Sequence, residues 1–268
     1  MKRMVLAFAL IAAAQAQKPA FEVASVKLNN SNTTGGYVRP AGERLTVSNI
    51  SLKGLILYAY RAANDTQLLS SQVAGGPDWT EKDRFDIEAK AETTGKAVSQ
   101  DQMRLMVQSL LEDRVKLKVH RETRELPVYN MVLEKNGPKM KLSGDQTPAE
   151  PRGVALMTGE QTPSGTMLVF FGNAVSLSKI AATLQGMVQR PLIDKTNMKG
   201  LFDFRIRFSP SLMPAFPEQT RPEDGQLNAP SDHPLLPIIQ DELGLKLQPG
   251  KGPVEVLVID SAQKPSEN

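Results

Sequence analysis

Two stretches decide the reading: Arg44-Leu45-Thr46-Val47 followed by Ser51-Leu52, and Met167-Leu168-Val169-Phe170 followed by Ser176-Leu177. Each is a strand-like run that leads into a serine suited to cap a short apolar helix. Other landmarks recur in the same order. Phe85-Asp86-Ile87 opens an alternating strand, and Phe202-Asp203-Phe204 opens another. Asp113-Arg114-Val115-Lys116-Leu117 leads to Pro127-Val128-Tyr129, while Leu243-Gly244-Leu245-Lys246-Leu247 leads to Pro253-Val254-Glu255. An ordered series of matching landmarks predicts two copies of one small module.

Working outward, residues 21–27 alternate as a strand and residues 29–36 read as a loop. Ser51 caps a predicted helix to about Tyr60, with Leu52, Leu55, Ile56 and Ala59 inward. Gly75-Gly76-Pro77-Asp78-Trp79 is a turn cluster. In residues 84–91, Phe85, Ile87 and Ala89 oppose Asp86, Glu88 and Lys90. Ser99 with Gln102 forms a capping box. Met103, Met106, Val107, Leu110 and Leu111 then fall on one helical face. Residues 115–121 and 127–134 read as a hairpin closing the first module.

Residues 136–166 read as a linker dense in Gly, Pro, Thr and Lys. The second module repeats the order with a strand at 167–171, a helix at 177–188 and short strands at 191–194 and 201–208. Residues 209–234 hold six prolines and read as an insertion. A helix at about 235–243 ends at Gly244. Strands at 245–248 and 253–260 follow. The expected fold is α+β: two tandem βαββαβ-like modules, each a small mainly antiparallel sheet with two helices on one face. The expected divisions are a signal peptide at 1–16, modules at 17–135 and 167–262, and a polar tail at 263–268.

The amino terminus carries an address. Met1-Lys2-Arg3 is a basic start, residues 4–14 are apolar, and Ala14-Gln15-Ala16 is a small-residue cleavage pattern. Cleavage after Ala16 and a periplasmic or extracellular location are expected. No later run approaches the ~20 apolar residues of a membrane helix. There is no cysteine, so neither disulfides nor lipidation at a cysteine is available. The formal charge is +3, but Lys2 and Arg3 leave with the leader, so 30 basic face 29 acidic side chains. That balance gives no global reason to expect nucleic acid or an anionic membrane as partner.

Several segments resemble an uncharacterised secreted family abundant in soil acidobacteria, of the Solibacter type. They are residues 21–27, Gly75-Gly76-Pro77-Asp78-Trp79, residues 84–90, His120-Arg121-Glu122-Thr123-Arg124-Glu125-Leu126-Pro127-Val128-Tyr129, residues 252–260, and Lys264-Pro265-Ser266-Glu267-Asn268. The resemblance spans nearly the whole mature chain and implies a domain of unknown function. In some relatives that domain follows a membrane metallopeptidase of the beta-lactam-sensor type. A weaker pattern resemblance, to the short N-terminal domain of secretins and TonB-dependent receptors, implies an assembly or interaction role by analogy of fold.

Catalytic patterns are sparse. His120 is expected to point outward beside Lys116 and Lys118, a poor setting for a general base or metal ligand. His233 is expected at a helix start. Asp83, Asp86 and Glu88 share a strand edge, where a face salt-bridged to Lys90 and Arg84 explains them better than acid–base chemistry. No nucleophile elbow, Ser-x-x-Lys pattern or phosphate loop occurs. No catalytic residue, cofactor or metal is therefore assigned. The candidate binding residues are Trp79, Asp78 and Tyr129, and Trp79 is expected to cap the first core. The strand from Val254 to Ile259 is apolar on both faces, so it is either central or meets a second surface.

These readings lead to an exported, non-enzymatic interaction or sensing module with an envelope protein partner. One alternative is a small-ligand binder with a cleft between modules near Trp79 and residues 209–234. Another is a hydrolase with a non-standard site. The partner and the oligomeric state are left open.

Overall fold

A computed structural model describes residues 18–31, 33, 35–92, 98–147, 156–163, 165–212 and 233–265. The expected leader at 1–16 and most of the proline-rich stretch lie outside the described residues. The described residues mix helices and strands in an α+β arrangement with three four-stranded sheets.

The first sheet contains β1 (Phe21–Leu28), β2 (Tyr37–Ala41), β3 (Arg44–Ser51) and β5 (Arg84–Ala91) in the antiparallel order β1-β5-β3-β2. Two helices, α1 (Leu52–Ala59) and α3 (Gln100–Arg114), lie on its apolar face. Ser51 accepts a hydrogen bond from the Gly54 N–H at 3.0 Å. Ser99 and Gln102 form the expected capping box. Leu45, Val47, Ile56, Ile87, Met103 and Val107 fill the core between these layers.

The second peripheral sheet is built the same way. It contains β7 (Lys141–Leu142), β8 (Leu156–Thr162), β9 (Gly165–Ser176) and β11 (Leu201–Phe208), ordered β7-β11-β9-β8. Helix α4 (Leu177–Val188) follows Ser176, as α1 follows Ser51. Phe170, Val175, Ile180, Leu184 and Ile206 belong to a second, separate core. Helix α5 (Leu235–Ile238) continues as a π turn over Ile239–Leu243 and stops at Gly244, whose φ of 68° is left-handed.

A third sheet joins the two cores. It is ordered β10-β6-β12-β4, where β4 is Val73–Gly75, β6 is Lys118–Leu133, β10 is Leu192–Asp194 and β12 is Leu245–Ser261. The 16-residue β6 and 17-residue β12 run antiparallel as one ribbon. Short β4 adds parallel to β12, with Val73 opposite Leu257. Short β10 adds parallel to β6, with Leu192 opposite Tyr129. Leu257 and Ile259 of β12 sit in the first core, while Tyr129 and Met131 of β6 sit in the second. Each half of the chain thus completes the other's core.

This corrects the expected hairpins. Residues 115–121 and 127–134 do not fold back on each other, and neither do 245–248 and 253–260. A hairpin would place Glu122, Arg124 and Glu125 in its turn. They are ladder residues opposite Val256, Val254 and Pro253. The prolines are tolerated because their missing N–H groups face away from the ladder. The neighbouring Tyr129 N–H donates to Pro191 at 2.8 Å, on the opposite side from β12, and Pro127 shares that orientation.

The doubly apolar strand at 254–259 is central, lying between β6 and β4. The expected linker is partly structured too. Its described portions supply β7 and β8, short polar strands of a kind suited to sheet edges. The start of the expected tail is also held, since the Gln263 N–H donates to the Val115 carbonyl at 2.7 Å. Gly75 and Gly76 have φ of 76° and 78°, and a Cβ on either would approach Ile259 to 2.9 Å. Only glycine lets β4 pass so close to β12.

The shared ribbon predicts that a chain cleaved between Thr147 and Leu156 stays together. Its two pieces should co-elute in size-exclusion chromatography under native conditions and separate only in denaturant.

Candidate functional site

The outer strand of the first sheet and the helix beneath it define a groove of about 480 Å³. Phe21 and Ala24 of β1 and Leu110 of α3 supply its apolar lining. Lys18 and Glu112 pair across it at 2.6 Å. The Arg114 guanidinium donates to the Ala24 carbonyl at 3.3 Å, on the edge of β1 that no other strand among the described residues covers. An arginine therefore occupies a position where a further strand would bond. A second cavity, inside the first core between Leu55 and Leu111, is only about 10 Å³ and has room for no more than a water.

The middle of the ribbon carries a polar junction. Glu255 accepts from Arg121 and from the Ala63 N–H at 3.0 Å. Its carbonyl accepts from the Gln72 amide at 3.0 Å. Arg121 also donates to the Arg61 carbonyl at 2.5 Å. The Gln185 amide of α4 reaches the Gln67 carbonyl at 3.3 Å. The long connection from α1 to β4 is thus fastened to both cores. Next to it, burial pushes the Tyr60 phenol up to about 12, with nearby Glu112 adding to the shift and Arg121 opposing it.

The candidate residues from sequence do not converge. Trp79 starts a short helix, α2 (Trp79–Lys82), and packs on the first core. Its ring meets Phe85 edge-on at 6.2 Å, with the Lys264 ammonium 6.0 Å from its centroid. Asp78 is exposed and pairs with Lys82 at 2.9 Å. Tyr129 lies in the other core, 2% exposed, beneath the Arg190 guanidinium at 4.9 Å. None of the three lines the groove.

The carboxylates on β5 have other partners than the expected salt bridges. Asp86 accepts from the Asn49 N–H at 2.9 Å and from the Asn29 amide at 2.8 Å. Asn49 sits at φ 56° in a bulge of β3. Asp203 does the same work in the second half, accepting from the Ala174 N–H at 2.7 Å, and Ala174 has φ 52°. The repeated Phe-Asp is therefore a device that holds the bulge turning each strand into its helix. Glu88 accepts from Thr46 at 3.1 Å, and Asp83 pairs with Lys264 at 2.6 Å.

His120 is exposed as expected, but its neighbours are acids rather than lysines. Asp260 lies 2.7 Å from Nδ1 and Glu122 lies 3.7 Å from Nε2. The long β6–β12 register brings Asp260 there, across 140 residues of sequence. A hydrogen bond from Arg124 holds Glu122 below its ordinary value, with His120 adding to the shift. His233 starts the α5 turn, its Nδ1 accepting from the Leu235 N–H at 3.2 Å, and burial lowers its pKa. Among the described residues no group of three or more His, Cys, Asp or Glu is placed to hold a metal ion. No helix among them is long and apolar enough to cross a membrane.

The groove residues were not legible as a site. Phe21 and Ala24 belong to a plain alternating strand, and Ser109 and Leu110 to a plain amphipathic helix. Only the packing of β1 on α3 makes a concavity of them.

Fold and site together define an α+β protein of two interlocked cores, with a groove at an open sheet edge. Residues 53–262 match the family described as "Protein of unknown function (DUF3738)", and the chain belongs to that family. No curated protein and no solved structure matches the chain.

Two outcomes are expected here. Asp86→Ala and Asp203→Ala each lower unfolding free energy by about 1–3 kcal/mol in urea titrations, by leaving a bulge N–H unsatisfied. Asp78→Ala, which breaks only an exposed pair, should change it by less than about 0.5 kcal/mol. Tyr60 is favoured neutral by the fold, so its contribution is complete below pH 10 and is lost as pH rises from 10 to about 12. Tyr60→Phe should flatten that part of the stability profile.

Proposed function

We propose that this chain is an exported, non-enzymatic interaction or sensing module that takes its partner in the groove between β1 and α3. The groove is the observation that carries the reading. It combines apolar side chains, fixed charges and a strand edge whose Ala24 carbonyl is held by a side chain rather than by a neighbouring strand. An extended peptide segment fits such a place, because edge backbone groups supply affinity and the groove supplies selectivity.

Export rests on the Met1-Lys2-Arg3 start and the Ala14-Gln15-Ala16 pattern. Beyond the α+β class, the matching strand orders β1-β5-β3-β2 and β7-β11-β9-β8 support a duplication of one βαββαβ-like module whose copies share their last strands. The resemblance to a domain that follows membrane sensor peptidases in relatives, and to secretin-type N-terminal domains, supports a role at the envelope.

A small ligand is the second reading. It is favoured by the groove volume, which lies within the range of ordinary ligand pockets. It would occupy this groove rather than a cleft at Trp79.

Ser109→Trp tests both readings, since a large ring there fills the groove without touching the cores. Peptides selected by display against the wild-type chain should bind the variant about tenfold or more weakly. If thermal-shift screening instead yields a small molecule sensitive to Ser109→Trp, the second reading holds. Binders indifferent to the substitution would refute the groove as the site.

A further inference from the structure

The solvent face of the first sheet carries more cations than carboxylates, and two of the cations, Arg44 and Lys90, meet in the row at one end of its inner strands. Outward positions form rows across the four strands. One row is Val23, Lys90, Arg44 and Ala41, the next Ser25, Glu88, Thr46 and Arg39, and the third includes Lys27, Asp86 and Tyr37. Arg44 and Lys90 stand directly opposite each other on β3 and β5. Cross-strand partners are about 5 Å apart at Cβ, and like charges so placed destabilise the sheet. Among the described residues, Lys27, Arg39, Arg44 and Lys90 have no ion-pair partner. The two carboxylates on this face accept hydrogen bonds from neutral donors, Glu88 from Thr46 and Asp86 from the bulge amides, and form no ion pair with these cations.

Edge protection does not account for the Arg44–Lys90 pair. Lysines commonly guard outer strands, but β3 and β5 are the two inner strands of this sheet. The second half offers an internal comparison. Its equivalent face also presents arginines, Arg205 and Arg207 on β11. There Glu160 reaches across from β8 to both, at 3.3 and 3.0 Å, over the buried Val169. The same framework thus neutralises its cations in one half and leaves them unpaired in the other.

We propose that this face of the first sheet binds a carboxylate-bearing polysaccharide. Repeated negative charge along an extended chain would satisfy Arg44 and Lys90 together, with Arg39 one row on along β2 and Lys27 two rows on along β1. Ser25 and Thr46 offer hydroxyls suited to sugar hydroxyls. Tyr37 is 44% exposed, with the Arg39 guanidinium over its ring at 4.7 Å, a platform for a sugar face and its acid group. An acidic protein fits less well. Protein interfaces place apolar anchors at a charge-depleted centre, and here the middle row carries Glu88 and Arg39 while apolar Val23 stands on an outer strand in the end row. The site is separate from the groove and does not depend on it.

The test is affinity electrophoresis of the full-length chain through native gels containing alginate, with dextran and poly-glutamate gels in parallel. Alginate should retard the protein, salt should relieve the retardation, and dextran should have no effect. Arg44→Ala with Lys90→Ala should weaken retardation by about fivefold or more. Lys195→Ala with Lys199→Ala, which removes the same charge elsewhere, should leave it unchanged. The first double variant should also raise the thermal midpoint, by relieving the like-charge contact. Absence of retardation by alginate, or indifference to Arg44 and Lys90, would overturn the proposal. Equal retardation by poly-glutamate would assign the face to an acidic protein instead, and a lowered midpoint would make the pair structural.

Discussion

The antiparallel ladder between β6 and β12 is the constraint on which the rest of the molecule depends. A ribbon of 16 and 17 residues is too long to serve one small core. Each strand therefore begins in the core of its own half and ends in the other. Leu117 and Val119 lead into β6 against the first core, while Tyr129 and Met131 finish it inside the second. Leu245 and Leu247 begin β12 in the second core, and Leu257 and Ile259 finish it inside the first. The apolar burial that stabilises either half is incomplete without the other half's strand.

That exchange explains several local features. The glycines at 75 and 76 exist where β4 must pass against Ile259. The connection from α1 to β4 is fastened by Glu255 and Arg121, both at mid-ribbon, and by Gln185 from the opposite core. The bulges at Asn49 and Ala174, each held by an aspartate, turn β3 and β9 into helices that lie over their sheets. The aspartate-held bulge occurs in both halves and concerns the framework.

What differs between the halves lies on the surfaces. Arg205 and Arg207 are drawn onto Glu160, whose carboxyl they hold below its ordinary value, Arg207 contributing most. Arg44 and Lys90 at the corresponding sheet face are left without such a partner among the described residues. The groove at β1 has apolar walls because α3 is a full four-turn helix there, whereas the helical segment before β12 is shorter.

Local chemistry alone settled the longer helices and their caps, though not the one-turn α2 at Trp79–Lys82. Ser51, Ser99 and Gly244 act where their side chains or their lack of one dictate, and the periodicity of Met103, Val107, Leu110 and Leu111 placed α3 correctly. It also placed the helix starts after Ser51 and Ser176, each of which accepts a hydrogen bond from the first turn. Local chemistry could not say that Glu122, Arg124 and Glu125 continue a strand, because charged residues in sequence look alike in a turn and on the exposed part of a ladder. Pairing partners separated by more than a hundred residues decide that. The same holds for the groove, where β1 meets α3, and for the acids beside His120. A pattern along the chain records which face of an element is apolar, but which elements meet is fixed by long-range packing, and sites arise where they meet.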